Sequence, residues 1–427
     1  MNEDFIQYIW KFQLFNSLNL KTTTGKEINI LHQGTQNISS GPDFTNAKVK
    51  IGNQMWAGNI EIHLEQENWN QHKHQYDEAY NNVILHVVYF PISNIDIRTK
   101  NNRTLETLVL KDLVFHKTES NYKQLMLGKK SFVPCESFFK NNDNFPISFY
   151  DRILTERLER KIKDIEKDIE LCVGDLDKAF LINLFKYFGA PQNKNSFEVL
   201  AKNLSLNTII KQAVSIESLE ALLFGVAGFL DTEIECDYKN KLENEFNYQR
   251  QLYRIESPMK QSNWKFSAVR PSNFPTIRIA QLASVLFQEQ RWFSFIQNEE
   301  EISIIKEKFK VSVSQYWKTH YNFGIESKKS QKLITDSFFD KIMINVIVPF
   351  LFYYGKFVQE EKFIEKALDL LLEIKPEKNR ITNTWQDIGL LNNNAFDSQA
   401  LIELKQNYCN AKRCLDCSIG YKILKNE

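Results

Sequence analysis

Hydrophobic and polar positions in the first ninety residues change their spacing several times, and each change indicates a new element. Two segments are compatible with helices, three are short or alternating as in half-buried strands, and the last is an almost continuous apolar run, typical of a strand covered on both faces. Together they predict the order α-β-β-β-α-β. The segments are residues 4–15, 28–31, 47–51, 55–64, 69–80 and 83–89.

From residue 148 onward, apolar residues recur at helical spacing with charged residues between them. We therefore expect an α+β protein, with an N-terminal α/β domain over residues 1–135 and a larger, mostly α-helical domain over residues 136–427 that carries the C-terminal cysteines. The longest apolar stretch, residues 338–354, contains charged residues and is too short to span a bilayer. We predict that it forms a buried helix.

One strand-like segment carries an unusual polar face. Glu61 and His63 stand two residues apart, so in a strand they point to the same side, and Asp43 precedes the neighbouring strand closely enough to reach that side. Paired carboxylates bind Mg²⁺ or Mn²⁺, which neutralises a phosphodiester and lowers the pKa of a bound water. We predict that Asp43, Glu61 and the carbonyl oxygen of Ile62 hold the ion, and that His63 orients the attacking water or accepts its proton.

A Pro-Asp pair ending at Asp43, followed by Glu61-x-His63 within an α-β-β-β-α-β order, resembles the PD-(D/E)xK nuclease superfamily, the restriction-endonuclease-like fold. The resemblance covers residues 3–90. It implies a core of that fold, metal binding by Asp43 and Glu61, and a catalytic role for His63 at the position where most members have lysine. It also implies that an acid on the first helix, Glu3 or Asp4, is an outer ligand.

The chain as a whole resembles an uncharacterised bacterial family, the domain of unknown function numbered 2851. This resemblance implies no activity. The segments that carry it are Gly41-Pro42-Asp43-Phe44, residues 56–63, Trp69 with His72, His74 and Asp77, residues 85–88, residues 270–275, and the C-terminal cysteines.

Histidines are concentrated near the same motif. His63, His72, His74 and His86 lie with Asp77 within 24 residues of a chain that has seven histidines. One interpretation is a second metal, zinc or manganese, held by imidazole and carboxylate. Another is a set of phosphate contacts and proton relays around the first ion. The third is helix capping together with a satisfied core histidine, which is the interpretation we favour for His86.

Three cysteines lie close together near the C-terminus, at Cys409, Cys414 and Cys417. Thiols at such spacing among basic residues favour thiolate formation and metal binding. Because these sites usually have four ligands, we predict Cys135 as the fourth, with zinc or an iron–sulfur cluster as the cofactor. The alternative is a group of reduced, buried cysteines on a terminal loop.

The charge balance excludes a globally basic protein, since Lys and Arg total 54 against 53 Asp and Glu. A local basic segment interleaved with aromatic residues could still bind nucleic acid through phosphates and stacked bases. The alternative to nucleic-acid binding is that the aromatic residues pack in the core and the cations are exposed to solvent. The acidic N-terminus is not typical of a signal peptide, so we expect a cytoplasmic protein with no membrane partner. The candidate nucleic-acid-binding residues are Lys260, Trp264, Lys265, Arg270 and Arg278.

These features lead to one main functional hypothesis and two alternatives. The main hypothesis is a metal-dependent nuclease that hydrolyses phosphodiester bonds of nucleic acid, with DNA as the expected partner. The first alternative is a catalytically inactive nucleic-acid-binding or scaffold protein with the same fold. The second is a zinc-dependent hydrolase that uses the histidines.

Overall fold

The computed structural model describes two compact units. The first comprises residues 1–146 with 387–390 and 404–427, and the second comprises residues 147–386 with 391–403. The boundary therefore lies later than the predicted residue 135, and the C-terminal cysteines belong with the sheet, because the last helix packs on an N-terminal helix. The described residues are 1–37, 39–90, 96–127, 132–141, 147–189, 191–255 and 259–425.

The first unit is built on a mixed sheet, which has six strands among the described residues. Its order is β1-β3-β4-β5-β6, and β2 also pairs with β3. Strand β3 is antiparallel to β1, β2 and β4, whereas β5 is parallel to both β4 and β6. The strands are β1 (Ile28–His32), β2 (Thr35–Gln36), β3 (Phe44–Ile51), β4 (Gln54–His63), β5 (Val83–Val88) and β6 (Thr107–Val109).

Strands β1 and β2 act as one interrupted strand, because both pair with β3. The interruption lies at Gly34, whose φ of +91° is unfavourable for other residues. A Cβ atom at Gly34 would lie 2.8 Å from the Thr45 carbonyl oxygen. With β1 and β2 counted as one, the first part of the chain has the predicted order α-β-β-β-α-β.

The first unit contains helices as well as the sheet, and helix α1 contacts β4. Helix α1 begins after Asn2, whose side chain accepts a hydrogen bond from the Phe5 amide, and its buried face packs on β4. The predicted helix over residues 69–80 is instead a short α-helix followed by two 3₁₀ turns, His74–Tyr76 and Glu78–Tyr80. The helices are α1 (Glu3–Phe12), α2 (Asn68–Gln71), α3 (His116–Leu127) and α18 (Ser418–Lys425).

The second unit is helical apart from a small hairpin of β7 (His320–Asn322) and β8 (Ile325–Glu326). With the mixed sheet of the first unit, this confirms the α+β class. The helices are α4 (Ile147–Leu171), α5 (Leu176–Phe188), α6 (Lys194–Lys202), α7 (Leu206–Gln212), α8 (Ile216–Val226), α9 (Asp237–Tyr253), α10 (Pro275–Gln288), α11 (Trp292–Asn298), α12 (Ile302–Phe309), α13 (Asp336–Ile342), α14 (Val348–Val358), α15 (Glu361–Glu373), α16 (Arg380–Asp387) and α17 (Ala395–Glu403).

Helices α13 and α14 are joined by a π-helical turn, Met343–Ile347, into one apolar rod. Among the described residues, this rod is long and apolar enough to cross a membrane by length and composition, and 61% of the relevant window is buried inside the protein. Ile342, Val346 and Phe350 are fully buried. The rod thus has the burial of a core helix, as predicted for residues 338–354.

Candidate metal centre

Asp43 and Glu61 meet where β3 begins beside β4. The backbone amide of Asp43 donates to Glu61 Oε2 at 3.1 Å, and the amide of Ile62 donates to Asp43 Oδ2 at 2.9 Å. The side-chain amide of Gln7, on α1, donates to Asp43 Oδ1 at 2.8 Å. These contacts hold the two carboxylates next to each other. The structure also shows that Ile62 contacts Asp43 through its amide, whereas its carbonyl oxygen is the predicted ligand.

Glu61 is buried and Asp43 is half-buried beside it, and neither pairs with a lysine or arginine of the described residues. Burial raises the pKa of Asp43, and the negative charges of Glu61 and Glu3 raise it further. Burial also raises the pKa of Glu61, with a contribution from Glu3. Glu3 therefore lies within electrostatic range of both carboxyl groups, and its role as an outer ligand stays a prediction.

Two imidazoles face the other oxygen of Glu61, and a third lies beside them. Glu61 Oε1 lies 3.3 Å from His74 Nε2 and 3.5 Å from His63 Nε2. His63 Nε2 is in turn 3.2 Å from His72 Nδ1. His63, His72 and His74 each offer a ring nitrogen, and these three atoms lie within 4.8 Å of one another. The structure therefore brings three of the predicted histidines together, two of them in contact with Glu61.

His86 fixes the orientation of His63. It lies on β5 directly opposite Glu61, and its Nε2 is 2.9 Å from His63 Nδ1. Burial, followed by the neighbouring imidazoles, lowers the pKa of His63 to about 2, and burial lowers that of His86 to about 3. Both rings are neutral at pH 7, which is the form in which imidazole binds metals. His86 is buried in the core, as expected, but it also supports the site.

A break in the chain after α2 brings His72 and His74 to the same place. Lys73, between them, has a left-handed backbone with a φ of +64°. His74 is buried and stacks on Tyr80 with ring centroids 3.8 Å apart, whereas His72 is exposed. Asp77 is exposed too, and its Oδ1 accepts from the Ala79 amide at 2.9 Å. Asp77 therefore caps a 3₁₀ turn and is not part of the group of three ring nitrogens.

The four predicted cysteines form a second cluster in the first unit. Cys135, Cys414 and Cys417 are buried. Burial raises the pKa of Cys135, and the thiols of Cys409, Cys417 and Cys414 raise it further. Burial and then Cys417 raise the pKa of Cys414 to about 11. The cysteines thus lie within electrostatic range of one another, but burial outweighs the basic neighbours that were expected to favour the thiolate.

The C-terminal segment that carries three of these cysteines is firmly docked. On α3, Thr118 Oγ1 donates to the Leu424 carbonyl at 3.0 Å and the Asn121 side-chain amide donates to that of Ile423 at 2.8 Å. Lys412 Nζ donates to the Met126 carbonyl at 2.7 Å. These contacts explain why a segment at the end of the chain belongs to the sheet-containing unit.

The predicted nucleic-acid-binding residues differ in their exposure to solvent. Trp264 is buried, and its indole N–H donates to the Ala227 carbonyl at 2.8 Å, so its ring cannot stack on a base. Lys260, Lys265 and Arg270 are exposed. Arg278 is half-buried at the start of α10 and lines a cavity with Arg270. The prediction that Trp264 stacks on a base is therefore wrong, because Trp264 packs in the core.

Gln7 was absent from the predicted site. Glu3 and Gln7 are four residues apart on α1, so they lie on the same helical face. In the sequence, only this spacing could have indicated that Gln7 reaches the site. Its bond to Asp43 depends on how α1 crosses the sheet. The pairing of His86 with His63 depends similarly on the register of β4 and β5.

Residues 3–380 match the model of a family described as "Protein of unknown function (DUF2851)". The match includes Asp43, Glu61, the histidines around them and Cys135. No curated protein and no solved structure matches the chain.

Proposed function

The chain belongs to the DUF2851 family, and the description of that family assigns no activity. From the residues of the site we propose that this protein is a divalent-metal-dependent nuclease, with DNA as the first substrate to test. The observation that carries this proposal is the pair of half-buried Asp43 and buried Glu61, which has no lysine or arginine counter-ion among the described residues and lies beside His63 and His74.

An uncompensated pair of carboxylates favours a cation. Loss of hydration raises the pKa of both Asp43 and Glu61, and the nearby negative charges of Glu61 and Glu3 raise that of Asp43 further. Each carboxylate oxygen can accept more than one hydrogen bond or metal contact, so the bonds from Gln7 and from the backbone leave lone pairs for an ion. Mg²⁺ or Mn²⁺ fits this oxygen-rich position.

His63 is better suited to orienting a water molecule than to accepting its proton. A general base works best with a pKa near the working pH, and the pKa of His63 is about 2 in its buried position. Its Nε2 faces the same space as Glu61 Oε1. With an ion held by Asp43 and Glu61, the ion would supply the charge that activates water, and His63 and His74 would position that water.

The sheet topology supports the resemblance to PD-(D/E)xK nucleases. A short helical connection through α2 links the antiparallel strands to the parallel strand β5. Asp43 immediately precedes β3 and Glu61 lies near the end of β4, so the antiparallel pairing of these strands brings both residues to the same end of the strands. In this proposal nucleic acid would approach that end.

The test is cleavage of labelled single- and double-stranded DNA, and of RNA, with added Mg²⁺ or Mn²⁺. Glu61→Gln and Asp43→Asn should each lower the rate at least about 100-fold, because even outer-sphere partners of a metal are worth 10–100-fold. Glu65→Gln, an identical change at an exposed position two residues after β4, should leave the rate unchanged.

A folding control accompanies the rate measurement. In metal-free buffer the Glu61→Gln protein should be at least as stable as the unaltered protein, because the substitution removes a buried like-charge repulsion. Equal cleavage by Glu61→Gln and the unaltered protein would contradict the proposal. DNA binding without turnover in the unaltered protein would support the inactive nucleic-acid-binding or scaffold alternative.

The histidines favour a second candidate, a zinc-dependent hydrolase. Three imidazole nitrogens within 4.8 Å of one another, next to a carboxylate oxygen, form a donor set typical of zinc. His72 is exposed, so His72→Ala should fold normally. Loss of bound zinc and of activity in His72→Ala, measured by elemental analysis of the purified protein, would favour this candidate over the Mg²⁺-dependent one.

We also propose that Cys135, Cys409, Cys414 and Cys417 hold a structural metal. Four thiols can hold either zinc or an iron–sulfur cluster. Elemental analysis of protein purified without oxygen should find zinc or iron, with visible absorbance only for a cluster, and Cys414→Ser should lose the bound metal.

A further inference from the structure

A polar cavity of about 270 Å³ lies in the helical unit, between the end of α5 and the segment that leads into α10. Its lining includes Arg270, Arg278 and three amide residues, Gln192, Asn193 and Asn273, and no aspartate or glutamate among the described residues. The volume is slightly below the roughly 300–1,000 Å³ of typical small-molecule sites. It therefore suits a small anion, or one charged end of a larger molecule.

Arg278 carries a charge that has no acidic partner. Its Nη1 donates to Gln281 Oε1 at 2.9 Å and its Nη2 donates to Asn273 Oδ1 at 2.8 Å, while the Phe338 ring lies 3.7 Å from the guanidinium carbon. No carboxylate of the described part of the chain pairs with it. Burial lowers its pKa to about 10, so it stays charged at pH 7. An anion in the cavity would compensate this charge.

The segment that presents Arg270 is held in place before any ligand arrives. The Asn193 side chain pairs with the backbone of Lys265, accepting from its amide at 2.8 Å and donating to its carbonyl at 2.9 Å. Ala268, which lines the cavity, has a φ of +59°, an unfavourable conformation for alanine. Arg270 precedes a proline and is extended. Its exposed side chain can therefore reach the cavity mouth without rearrangement of the backbone.

Helix α10 adds a favourable field at the same place. It begins at Pro275, which lines the cavity, and Phe274 before it provides no side-chain cap. The positive end of this 14-residue helix therefore faces the two arginines and any anion between them. Three independent features of the cavity, its arginines, its lack of acids and this helix end, favour negative charge.

We infer that this cavity binds a phosphate group, with Arg278 as the inner contact and Arg270 as the outer one. Planar guanidinium groups match the oxygens of phosphate in paired hydrogen bonds. The phosphate could belong to the end of a nucleic acid strand or to a small phosphorylated molecule, and both present the same chemistry. The inference does not depend on the metal centre, which lies in the other unit.

Titration calorimetry with inorganic phosphate, on the full chain at constant ionic strength, tests this inference. Arg278→Gln should weaken binding about 10-fold, the loss of a charge-assisted hydrogen bond. Arg270→Gln, an exposed and structurally harmless change, should weaken it about 3-fold. Arg380→Gln, at an exposed arginine elsewhere in the same unit, should leave the binding of phosphate unchanged.

A second set of titrations distinguishes the sources of the phosphate. Tighter binding of a 5′-phosphorylated oligonucleotide than of its 5′-hydroxyl form, lost in Arg270→Gln, identifies a nucleic acid end. Arginine-dependent binding of phosphate without this difference identifies a small molecule. The inference is overturned if millimolar phosphate does not bind, if acetate binds equally well, or if both arginine variants bind phosphate as the unaltered protein does.

Discussion

Glu61 links the two halves of the candidate metal centre, because its two oxygens face different groups. Oε2 accepts from the Asp43 amide, while Oε1 faces His63 and His74. Both alternatives for the metal therefore include Glu61, and they differ in whether Asp43 or the imidazoles supply the other ligands. The strand alternation of Glu61 and His63 was readable from the sequence, but this division of the oxygens follows from tertiary contacts.

Another buried acid, Glu220 on α8, makes stability depend on pH. Its Oε2 accepts from the Tyr238 hydroxyl at 2.6 Å and from the Trp317 indole at 2.9 Å. Burial raises its pKa from 4.5 to about 7. The unfolded chain therefore loses this proton at lower pH than the folded one, so the stabilisation present below about pH 4.5 is lost as the pH rises through about 7.

We expect Glu220→Gln to remove this pH dependence, because glutamine resembles the protonated acid. The change in pKa corresponds to about 3 kcal/mol. Denaturant unfolding at pH 5 and pH 8 should show a loss of stability with rising pH that is smaller in Glu220→Gln by this order of magnitude. The exposed Glu235→Gln change is the control. Identical pH dependence in both variants would show that Glu220 is ionised throughout.

Among the elements, the segment over residues 69–80 differs most from its prediction, and the difference brings His72 and His74 together. In a continuous helix His72 and His74 would point about 200° apart around the axis. The left-handed Lys73 instead ends α2 and allows both rings to face His63. Residue propensity did not reveal this break, because it is stabilised by burial of Trp69 and His74 against the sheet.

Helix α18 makes a close contact that requires glycine. A Cβ atom at Gly420 would lie 1.9 Å from the Cys414 carbonyl oxygen. Helix propensity by itself favours alanine over glycine by about 1 kcal/mol, whereas overpacking costs about 1–3 kcal/mol. We expect Gly420→Ala to lower the free energy of unfolding, as measured by denaturant titration. An unchanged or increased value would show that the cysteine turn can move away from the helix.

For the molecule as a whole, the two units carry separate candidate sites. The metal centre and the cysteines belong to the first unit, and the phosphate cavity belongs to the second. The predicted domain boundary at residue 135 assigned residues 404–427 to the helical domain, whereas the structure places them in the first unit. The predicted joining of Cys135 to the C-terminal cysteines was the sequence signal for this return, and the contacts of α18 with α3, about three hundred residues apart, add to it.

Removal and return of metal should change the stability of the protein. A ligand that binds only the folded state adds about 3 kcal/mol when its free concentration is 100 times its dissociation constant. We expect Mn²⁺ added to metal-stripped protein to raise the unfolding temperature of the unaltered protein, and the shift should be absent in Glu61→Gln. An equal shift in both proteins would place the ion elsewhere.

The sequence by itself determined the order of the N-terminal elements, the α+β class, and the residue types of both metal-binding candidates. These properties follow from local periodicity and spacing, which act between near neighbours. Only the tertiary structure decided that Gln7 and His86 support the centre, that Trp264 packs in the core, and that Arg278 lies in a cavity without an acidic partner. Each of these depends on burial and on contacts between distant segments, which no local pattern of residues encodes.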